Sequence, residues 1–578
     1  MRLGRSNLIF IIILLFLANC NEQSSITFFH KSDIDQELFQ KLLKETIDSL
    51  YIDKLPSLKA NLPLIKSFYQ NRNFASIFFG ELKFYSELDS VLHFFAKANE
   101  HGLNPESYHY SELLKRKKFI NDTTLSINER HKFLVETKIL LCDGLLNYSS
   151  HLKKGIFSPK VLYPDFYFFP TNDFNTPLEP LQQENILEYL KQIQPRSKRY
   201  KDLQVYLKKM ESLKELKLSK LPFPKTKIKV NDRYDHLSEI IKRLSLFEIL
   251  DTNSVKVYDN VYDSNLVPYI KKFQRSFGLI DDGVIGKNTI EKLNLIPNQI
   301  IDLIKINLER IRWFNYEDTS RYVLVNIPDF NVYLIENGEK KLKMKVCVGM
   351  KGEWETPVLY SRIDHIVLNP TWNVPQTIIQ EEIIQELKKD SLYLKKKRFR
   401  VFLGKKEIEL SDKDFNKLSA KRYTLIQDPG EMNALGKIKI IFDNPFGVYL
   451  HDTPYRAPFS YEKRTVSHGC IRLESPLKLV EEILKDNSEW NIDFVKIEIG
   501  YKVKNRHILD DYLKKRDSLI NGNRTTNKSV KIKLNNQIPI FIDYLTAWVD
   551  DEGILNLRDD VYQKDKILFE LFLKNINN

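Results

Sequence analysis

The hydrophobic pattern of the chain changes its period near residue 320. Between about 45 and 215 the apolar residues recur at helical spacing, in Leu- and Lys-rich stretches such as SELLKRKKF and NILEYLKQIQ. From about 320 they alternate with polar residues, in RYVLVNIP, FNVYLIENGEKKLKMKVCVG and LGKIKIIF, which is typical of strands. A chain of 578 residues is also too long for one core. The pattern therefore predicts a multidomain α+β protein in which helical domains precede a mainly β domain.

Changes of composition suggest where these domains begin and end. The prolines of LPFPKTKIKV indicate a linker, and Asp282-Gly283 indicates a tight turn inside a compact helical unit. The predicted ranges are a helical domain at 45–220, the compact helical unit at 231–297, a mainly β domain at 320–502 with an insertion at 377–425, and a C-terminal segment at 503–578.

The chain is basic, with a formal net charge of +13. Such a balance favours nucleic acid, anionic lipid or an acidic polymer as a partner, and does not choose between them. The insertion carries a basic run of its own, KKKRFR at 395–400. A solvated face is the simple interpretation of this run, and contact with polymer carboxylates or lipid headgroups is the alternative.

The first residues have the layout of an export signal. Arg2 and Arg5 precede an unbroken apolar run at 8–18, which is shorter than the roughly 20 residues that span a bilayer. We therefore expect a signal peptide at 1–19. Export would exclude most nucleic-acid partners and would place the protein where disulfides can form.

The end of this signal is similar to a bacterial lipobox. It reads Leu-Ala-Asn-Cys, so Cys20 would be lipidated and would become the mature N-terminus, with a tether at 20–44. Asn19 departs from the usual small residue before the cysteine. Ordinary signal cleavage and an uncleaved anchor are the alternatives to a membrane attachment through lipid.

If Cys20 is lipidated, three cysteines remain, and at least one of them cannot be in an internal disulfide. Cys142 lies in the apolar helical stretch KILLCDGLLNY and is interpreted as a small buried hydrophobe. Cys347 lies in the strand KLKMKVCVG and is interpreted as a residue of its other face. The third is Cys470, in RTVSHGCIRLES.

The surroundings of Cys470 favour a nucleophile over a metal ligand. An H-x-C pair is not a usual zinc spacing, and no C-x-x-C or H-E-x-x-H accompanies it, so we expect no metal. His451 ends the strand VYLH and could serve as a base, while Gly469 permits a sharp turn that aims backbone N–H groups at an oxyanion. A nearby histidine would lower the effective pKa of the thiol. Arg472 could bind a substrate carboxylate.

Several motifs then resemble one family. The string HDTPYRAPFSYEKRTVSHGCIRL is similar to the YkuD-type L,D-transpeptidase signature: a histidine, about 15 residues, then S-H-G-C followed closely by Arg or Asn. FQRSFGLIDDGVIGKNTIEKLN resembles the three-helix peptidoglycan-binding domain of cell-wall enzymes. The helical region with HGLNPESYHY and the C-terminal IPIFIDYLTAWVDDEGILNLRDD resemble the large, scaffold-containing branch of the family.

This resemblance implies a fold and a reaction. The fold would be a mainly β catalytic domain with a helical scaffold and a three-helix peptidoglycan-binding domain. Cys470 would attack a peptidoglycan stem peptide, release D-alanine and form a thioester, which a neighbouring stem resolves into a 3→3 crosslink. His451 would be the base and then the acid. Ser467, His468 and Gly469 would line the oxyanion site, Arg472 would bind substrate, and no cofactor would be required.

Three other functions stay open on the sequence. The same thioester could pass to water, as in a carboxypeptidase, or to a lysine of another protein, as in a protein-to-wall attachment enzyme. The chain could also be a non-catalytic, peptidoglycan-binding lipoprotein, although such a protein has no need of a nucleophile and a base.

Overall fold

The computed structural model describes most of the chain from residue 36 onward. The described residues are 36–49, 58, 61–75, 84–120, 122, 124–164, 166–168, 178–250, 260–314, 319–410, 414–502, 504–520 and 529–577. The expected signal peptide at 1–19, Cys20 and the tether up to residue 35 lie outside these residues. Within them, no helix combines the length and the apolar character that a membrane span requires.

These residues form two compact units, and the first is helical. It takes in described residues between 36 and 99, between 103 and 153, and between 178 and 194. Its helices are α1 (Gln36–Ser49), α2 (Leu62–Gln70), α3 (Phe84–Ala96), α4 (Tyr110–Ile120), α5 (Ile127–Lys154) and α6 (Ile186–Gln192). The long α5 is buried along most of its length, so it forms the centre of this unit.

Helix α1 corrects the predicted tether at 20–44, whose last nine positions are helical. Phe39, Leu43 and Ile47 recur every four residues and are 1%, 0% and 2% exposed. A stripe at this spacing lies on one face of a helix, so burial of the stripe stabilises a helix here.

The second unit begins with five helices that share one core. They are α7 (Lys198–Ser212), α8 (Leu237–Leu246), α9 (Val267–Ser276), α10 (Lys287–Leu293) and α11 (Pro297–Trp313). Apolar residues at helical spacing are buried in α8 (Leu237, Ile240) and in α9 (Ile270, Phe273), and Gly283 turns the chain with a φ of +77°. Helix α7 lies within the predicted helical domain at 45–220, yet Leu203 and Leu207 pack into this core. The compact division therefore places α7 in the second unit.

A ten-stranded mixed sheet follows. Its strands are β1 (Tyr167–Phe168), β2 (Arg321–Asn326), β3 (Asn331–Glu336), β4 (Glu339–Gly349), β5 (Leu359–Leu368), β10 (Ile438–Phe442), β11 (Leu450–His451), β12 (Thr465–Ser467), β13 (Ile471–Leu473) and β14 (Val530–Asp543). The order is β1-β5-β10-β11-β13-β4-β3-β2-β14, with β12 beside β4. The predicted hairpin at Asn337-Gly338 joins β3 to β4, and both residues have positive φ.

Strand β14 closes this sheet on itself, although it lies beyond the predicted end of the β domain at 502. It pairs in parallel with β2 and antiparallel with β5. Ile538, Ile540 and Ile542 alternate along it and are 6%, 0% and 0% exposed. These side chains therefore lie in the same core as the other strands of the main sheet.

The insertion at 377–425 has a small core of its own. Its helix runs through α12 (Gln376–Ile378), a π turn (Ile379–Ile383) and α13 (Ile384–Lys389), before the short α14 (Tyr393–Lys396). A second sheet, in the order β6-β9-β7-β8, consists of β6 (Trp372–Asn373), β7 (Phe399–Leu403), β8 (Lys406–Ile408) and β9 (Tyr423–Gln427). The basic run KKKRFR joins α14 to β7, and Lys396 and Arg400 form ion pairs with Asp390 and Asp428.

The remaining elements follow β13 along the chain. They are α15 (Pro476–Ile483), α16 (Ile492–Glu498), α17 (Arg506–Ile520), the hairpin β15 (Ala547–Val549) and β16 (Leu555–Leu557), and α18 (Lys564–Asn577). Helices α15 and α16 pack on the core of the main sheet, and the β15–β16 hairpin packs on the core of the five helices. The C-terminal segment thus contacts both parts of the second unit.

Candidate active site

Two adjacent parallel strands carry the predicted nucleophile and base. Strand β11 pairs with β13 so that Leu450 lies opposite Ile471 and His451 opposite Arg472. The N–H of Ile471 donates to the carbonyl of Tyr449 at 3.0 Å. Leu450 and Ile471 are fully buried in the core of the sheet. Because side chains alternate along a strand, His451 and Arg472 lie on the opposite face, and Cys470, two residues before Arg472, is placed on it too.

This face extends across two further strands. Lys439 of β10 lies opposite His451, and Cys347 of β4 lies opposite Arg472. The result is a cross-strand row of Lys439, His451, Arg472 and Cys347, with Cys470 at one end of β13. The row places two fixed positive charges beside the predicted base.

His451 is held as a neutral base. Its side chain is almost fully buried, and Nδ1 donates to the carbonyl of Asp452 at 2.5 Å. This bond leaves the lone pair on Nε2, which can then accept a proton. Burial, with the charges of Arg472 and Lys439, lowers the pKa of His451 to about 3. The imidazole is therefore unprotonated at neutral pH.

The carboxylate of Asp452 acts on the loops around the base and not on the ring. Its oxygens accept from the backbone N–H groups of Lys437 and Thr453 and from the guanidinium of Arg456. Gly436 makes room for it, since a Cβ there would lie 2.3 Å from Asp452 Oδ2. Asp452 thus orients His451 through its backbone carbonyl, which the fixed loops hold in place.

Cys470 is half-buried, and its Sγ lies 3.9 Å from the carbonyl oxygen of Gly447. Burial raises the pKa of this thiol, although hydrogen bonds from Tyr449 and the charges of Lys439 and Arg472 oppose the rise. In the described part of the chain, no hydrogen bond joins the thiol to the ring of His451. The structure therefore differs from the sequence expectation of a lowered thiol pKa, because burial outweighs the nearby charges.

The turn before Cys470 has the conformation that its glycine permits. Gly469 has a φ of +99°, in the region that favours glycine. The hydroxyl of Ser467 donates to the carbonyl of Cys470 at 2.5 Å, and the hydroxyl of Thr356 donates to the carbonyl of Gly469 at 2.8 Å. These bonds fix the backbone on both sides of Cys470.

His468 faces the insertion rather than the thiol. Its ring lies edge-on to Trp354, with centroids 4.6 Å apart, and its Nε2 lies 3.1 Å from Oε1 of Glu382. The hydrogen bond to His468 lowers the pKa of Glu382. Any contribution of His468 to an oxyanion site would therefore come from its backbone.

Arg472 is partly buried, and its Nε is buried without a hydrogen-bond partner among the described residues. A buried N–H donor without a partner costs about 1–3 kcal/mol, so a bound acceptor is the chemistry that this group fits. Its position in the row is compatible with the predicted contact to a substrate carboxylate.

Sequence reasoning missed Lys439, Tyr449, Thr356 and Glu382. Lys439 Nζ lies 3.8 Å from the centroid of the Tyr449 ring, and burial lowers the pKa of this lysine. Lys439 was visible as one of the two lysines of LGKIKIIF, and Tyr449 as a neighbour of His451. Their approach to Cys470 depends on the order of the strands, which the local pattern does not contain.

The other cysteines have the environments that the sequence predicts. Cys142 is fully buried, its Sγ lies 3.5 Å from the hydroxyl of Tyr69, and burial raises its pKa to about 12. Cys347 lies on the face of β4 opposite the core and is 1% exposed, and burial raises its pKa to about 11. All three cysteines of the described residues are free thiols. Cys470 is the most accessible of them.

Comparison with known families identifies the domain that contains this row. The model of the YkuD L,D-transpeptidase catalytic domain matches residues 320–499. This part of the chain is similar to the YkuD L,D-transpeptidase domain. Two further models match upstream, a "Scaffold domain" at 63–207 and a "Putative peptidoglycan binding domain" at 240–293. The chain thus has the scaffold-containing organisation that its sequence motifs resemble.

Individual relatives have the same family name. The chain is 28% identical over 295 residues to a curated protein of Haemophilus influenzae named "Putative L,D-transpeptidase". The aligned residues cover 50% of this chain and 54% of that protein. The chain therefore spans about half the length of this curated relative. Two solved structures that the chain matches are L,D-transpeptidases. The one from Stackebrandtia nassauensis is 16% identical, and the match covers 43% of this chain and 86% of that chain with a TM-score of 0.19. The one from Xylanimonas cellulosilytica is 13% identical, and the match covers 47% of this chain and 96% of that chain with a TM-score of 0.15.

Proposed function

We propose that the protein is a peptidoglycan L,D-transpeptidase that forms 3→3 crosslinks between stem peptides through a thioester on Cys470, with release of D-alanine. The observation that carries this proposal is the placement of Cys470 and His451 on one face of adjacent parallel strands, with Nε2 of a neutral imidazole as the available base. The match of residues 320–499 to the L,D-transpeptidase catalytic domain supports it.

The first half-reaction forms the thioester. Arg472 binds a carboxylate of the donor stem, and Cys470 Sγ attacks the carbonyl between the L-centre of the diamino acid and the terminal D-alanine. Because the thiol is protonated at neutral pH, His451 Nε2 takes its proton during the attack. The backbone N–H groups at Gly469 and Cys470 stabilise the oxyanion. The C–N bond then breaks, and His451 returns the proton to the leaving amine of D-alanine.

The second half-reaction releases the enzyme. An amine of a neighbouring stem attacks the thioester carbonyl, and His451 Nε2 takes a proton from it. The C–S bond breaks, the new amide is the crosslink, and the sulfur receives the proton from His451. One amide is exchanged for another, so the reaction needs no redox partner.

The acceptor is tested by the products. Purified enzyme with disaccharide-tetrapeptides should release D-alanine and form dimers of the mass that a 3→3 amide requires, and Cys470→Ala should do neither. Tripeptide products without dimers would indicate water as the acceptor, and stems attached to a protein lysine would indicate an attachment enzyme. Equal products from wild type and Cys470→Ala would contradict catalysis and favour a wall-binding protein.

The proposed location is the periplasmic side of the cell envelope, with Cys20 carrying a lipid. The basis is the N-terminal sequence together with the match to a peptidoglycan-binding domain. Intact-mass analysis of the mature protein tests it, since a lipidated N-terminal Cys20 is heavier by the mass of its acyl chains. A mature chain that begins elsewhere would contradict the lipid anchor.

A further inference from the structure

A chain of hydrogen bonds holds the backbone that precedes the nucleophile. The hydroxyl of Thr356 donates to the carbonyl of Gly469 at 2.8 Å and accepts from the N–H of Gly349 at 2.8 Å. The phenol of Tyr562 donates to the carbonyl of Gly349 at 2.6 Å and accepts from the N–H of Thr356 at 3.2 Å. Thr356 and Tyr562 are 2% and 3% exposed, so water does not compete for these bonds.

The bond to Gly469 determines where the N–H of Cys470 points. The carbonyl of Gly469 and the N–H of Cys470 belong to one peptide unit, which is planar and trans, so the two groups point in opposite directions. A hydroxyl that fixes the carbonyl therefore fixes the N–H as well. Gly469 has a φ of +99°, and a glycine can rotate away from this conformation more readily than other residues. The carbonyl bond restrains that rotation.

The approach of the Thr356 loop to β4 depends on a second glycine. A Cβ on Gly349 would lie 1.8 Å from the carbonyl oxygen of Trp354. The absence of this atom lets the Trp354–Thr356 backbone lie directly against the end of β4. The hydroxyl of Thr356 is thereby placed between Gly349 and Gly469.

We propose that Thr356 is a positioning residue that aims the N–H of Cys470 at the oxyanion of the acylation step, and that Tyr562 of the C-terminal segment holds Thr356 in place. This inference rests on the proposed function, since it requires an oxyanion at Cys470. Thr356 touches neither the thiol nor the substrate in this role. It acts through the Gly469–Cys470 peptide.

Two reactions of the Cys470 thiol distinguish oxyanion positioning by Thr356 from a general role of Thr356 in loop stability. Attack on the strained amide of a carbapenem forms an oxyanion, breaks the ring C–N bond and leaves a thioester on Cys470. Attack on iodoacetamide displaces iodide and forms no oxyanion. A positioning residue for the oxyanion should matter in the first reaction and not in the second. A residue that only stabilises the loop should affect both.

The variants are Thr356→Val, which keeps the branched shape and removes the hydroxyl, and Thr356→Ser, which keeps the hydroxyl. We expect Thr356→Val to lower the rate of carbapenem acylation about 10- to 100-fold. Complete loss of an oxyanion donor lowers a rate about 10²- to 10³-fold. The effect of Thr356→Val should be smaller, because the N–H of Cys470 is still present and only its direction changes. Its rate of Cys470 alkylation should stay within about twofold of wild type. Thr356→Ser should restore most of the acylation rate. Tyr562→Phe should lower acylation by less than Thr356→Val.

The possible results distinguish the positioning role from a structural role and from failure of the proposed function. Equal loss of acylation and alkylation in Thr356→Val would overturn the positioning role in favour of a structural one. Equal acylation of wild type and Thr356→Val would overturn the inference and leave the proposed function standing. A wild-type enzyme that is not acylated at Cys470 would overturn the proposed function, and this inference with it. Peptide mapping by mass spectrometry assigns each adduct to Cys470 rather than to Cys142 or Cys347.

Discussion

Lys439 lies directly opposite His451 in the antiparallel pairing of β10 and β11. Its ammonium and the guanidinium of Arg472 both lower the pKa of the imidazole, in addition to burial. The proposed base is thus surrounded by groups that keep it unprotonated. The same two cations oppose the effect of burial on the pKa of Cys470. Lys439 therefore affects the pKa values of both groups that are proposed to react, His451 and Cys470.

The first prediction concerns the acid side of the pH profile. Since the pKa of His451 is lowered to about 3, the imidazole stays neutral as the pH falls, and carbapenem acylation should change little between about pH 5 and 7. A decline in acid is expected only nearer pH 3. A wild-type decline centred near pH 6 to 7 would contradict the buried, neutral His451.

Lys439→Met tests the cause of this low pKa. Removal of a neighbouring positive charge makes protonation of His451 easier, so its pKa rises and the acid limb of acylation moves to higher pH. Lys437→Met is the matched control, because Lys437 pairs with Glu431 and does not act on His451. An acid limb that moves equally in both variants would point to the overall charge of the protein.

The second prediction concerns the thiol. Because burial raises the pKa of Cys470, alkylation by iodoacetamide should be slow at neutral pH and should still accelerate as the pH rises into the alkaline range. A preformed thiolate–imidazolium pair would instead give a rate that is already at its plateau below neutral pH. Cys142 and Cys347 are internal controls, since burial raises their pKa values to about 12 and 11. A plateau in mild acid would contradict the general-base step.

The third prediction separates two effects of Arg472. Arg472→Lys keeps a positive charge beside His451, so the acid limb of the pH profile should remain where it is in wild type. The variant loses the two parallel N–H donors that a carboxylate can accept from a guanidinium. We expect the KM for a tetrapeptide stem to rise about 10-fold, since hydrogen bonds to charged groups are worth about 1.5–3 kcal/mol.

Steady-state kinetics with stem peptides and with a small carbapenem measure this difference. A fall of kcat with an unchanged KM for the stem would indicate that Arg472 acts on the chemical step rather than on binding. Arg472→Met provides the comparison, because it removes the charge as well and should also move the acid limb upward.

The sequence predicted the elements of this site whose evidence is local. The alternation of VYLH and LGKIKIIF indicates strands, Gly469 indicates a turn, and helical spacing identifies the apolar sets of α8 and α9. The contacts that were missed all join distant segments. Thr356 meets Gly469 across 113 positions of the chain, and Tyr562 meets Gly349 across 213. No periodicity within a window of ten or twenty residues contains such information.

The pairing of the C-terminal strand was missed for the same reason. The alternation of IPIFID marks a strand, but the sequence does not say which strands it joins. In the structure the partners of β14 are β2 and β5, about 200 residues earlier, and the closing strand lies after the helix α17. The motif at 464–475 was informative because its residues are close together along the chain, on or next to β12, β13 and the turn between them.

The last prediction tests whether β14 is part of the catalytic fold. Ile540 is fully buried and pairs with Val323 of β2 and Ser361 of β5. Ile540→Ala should lower the free energy of unfolding by about 2–5 kcal/mol, because it leaves a cavity in the core of the closed sheet. Asn536→Ala, at an exposed position of the same strand, is the control and should change it by less than about 0.5 kcal/mol. Urea unfolding measures both, and amide hydrogen exchange of β2 and β5 locates the effect. If the two variants were equally stable, or if exchange in β2 and β5 were unchanged in Ile540→Ala, the C-terminal strand would be an appendage and the catalytic domain would end near residue 502.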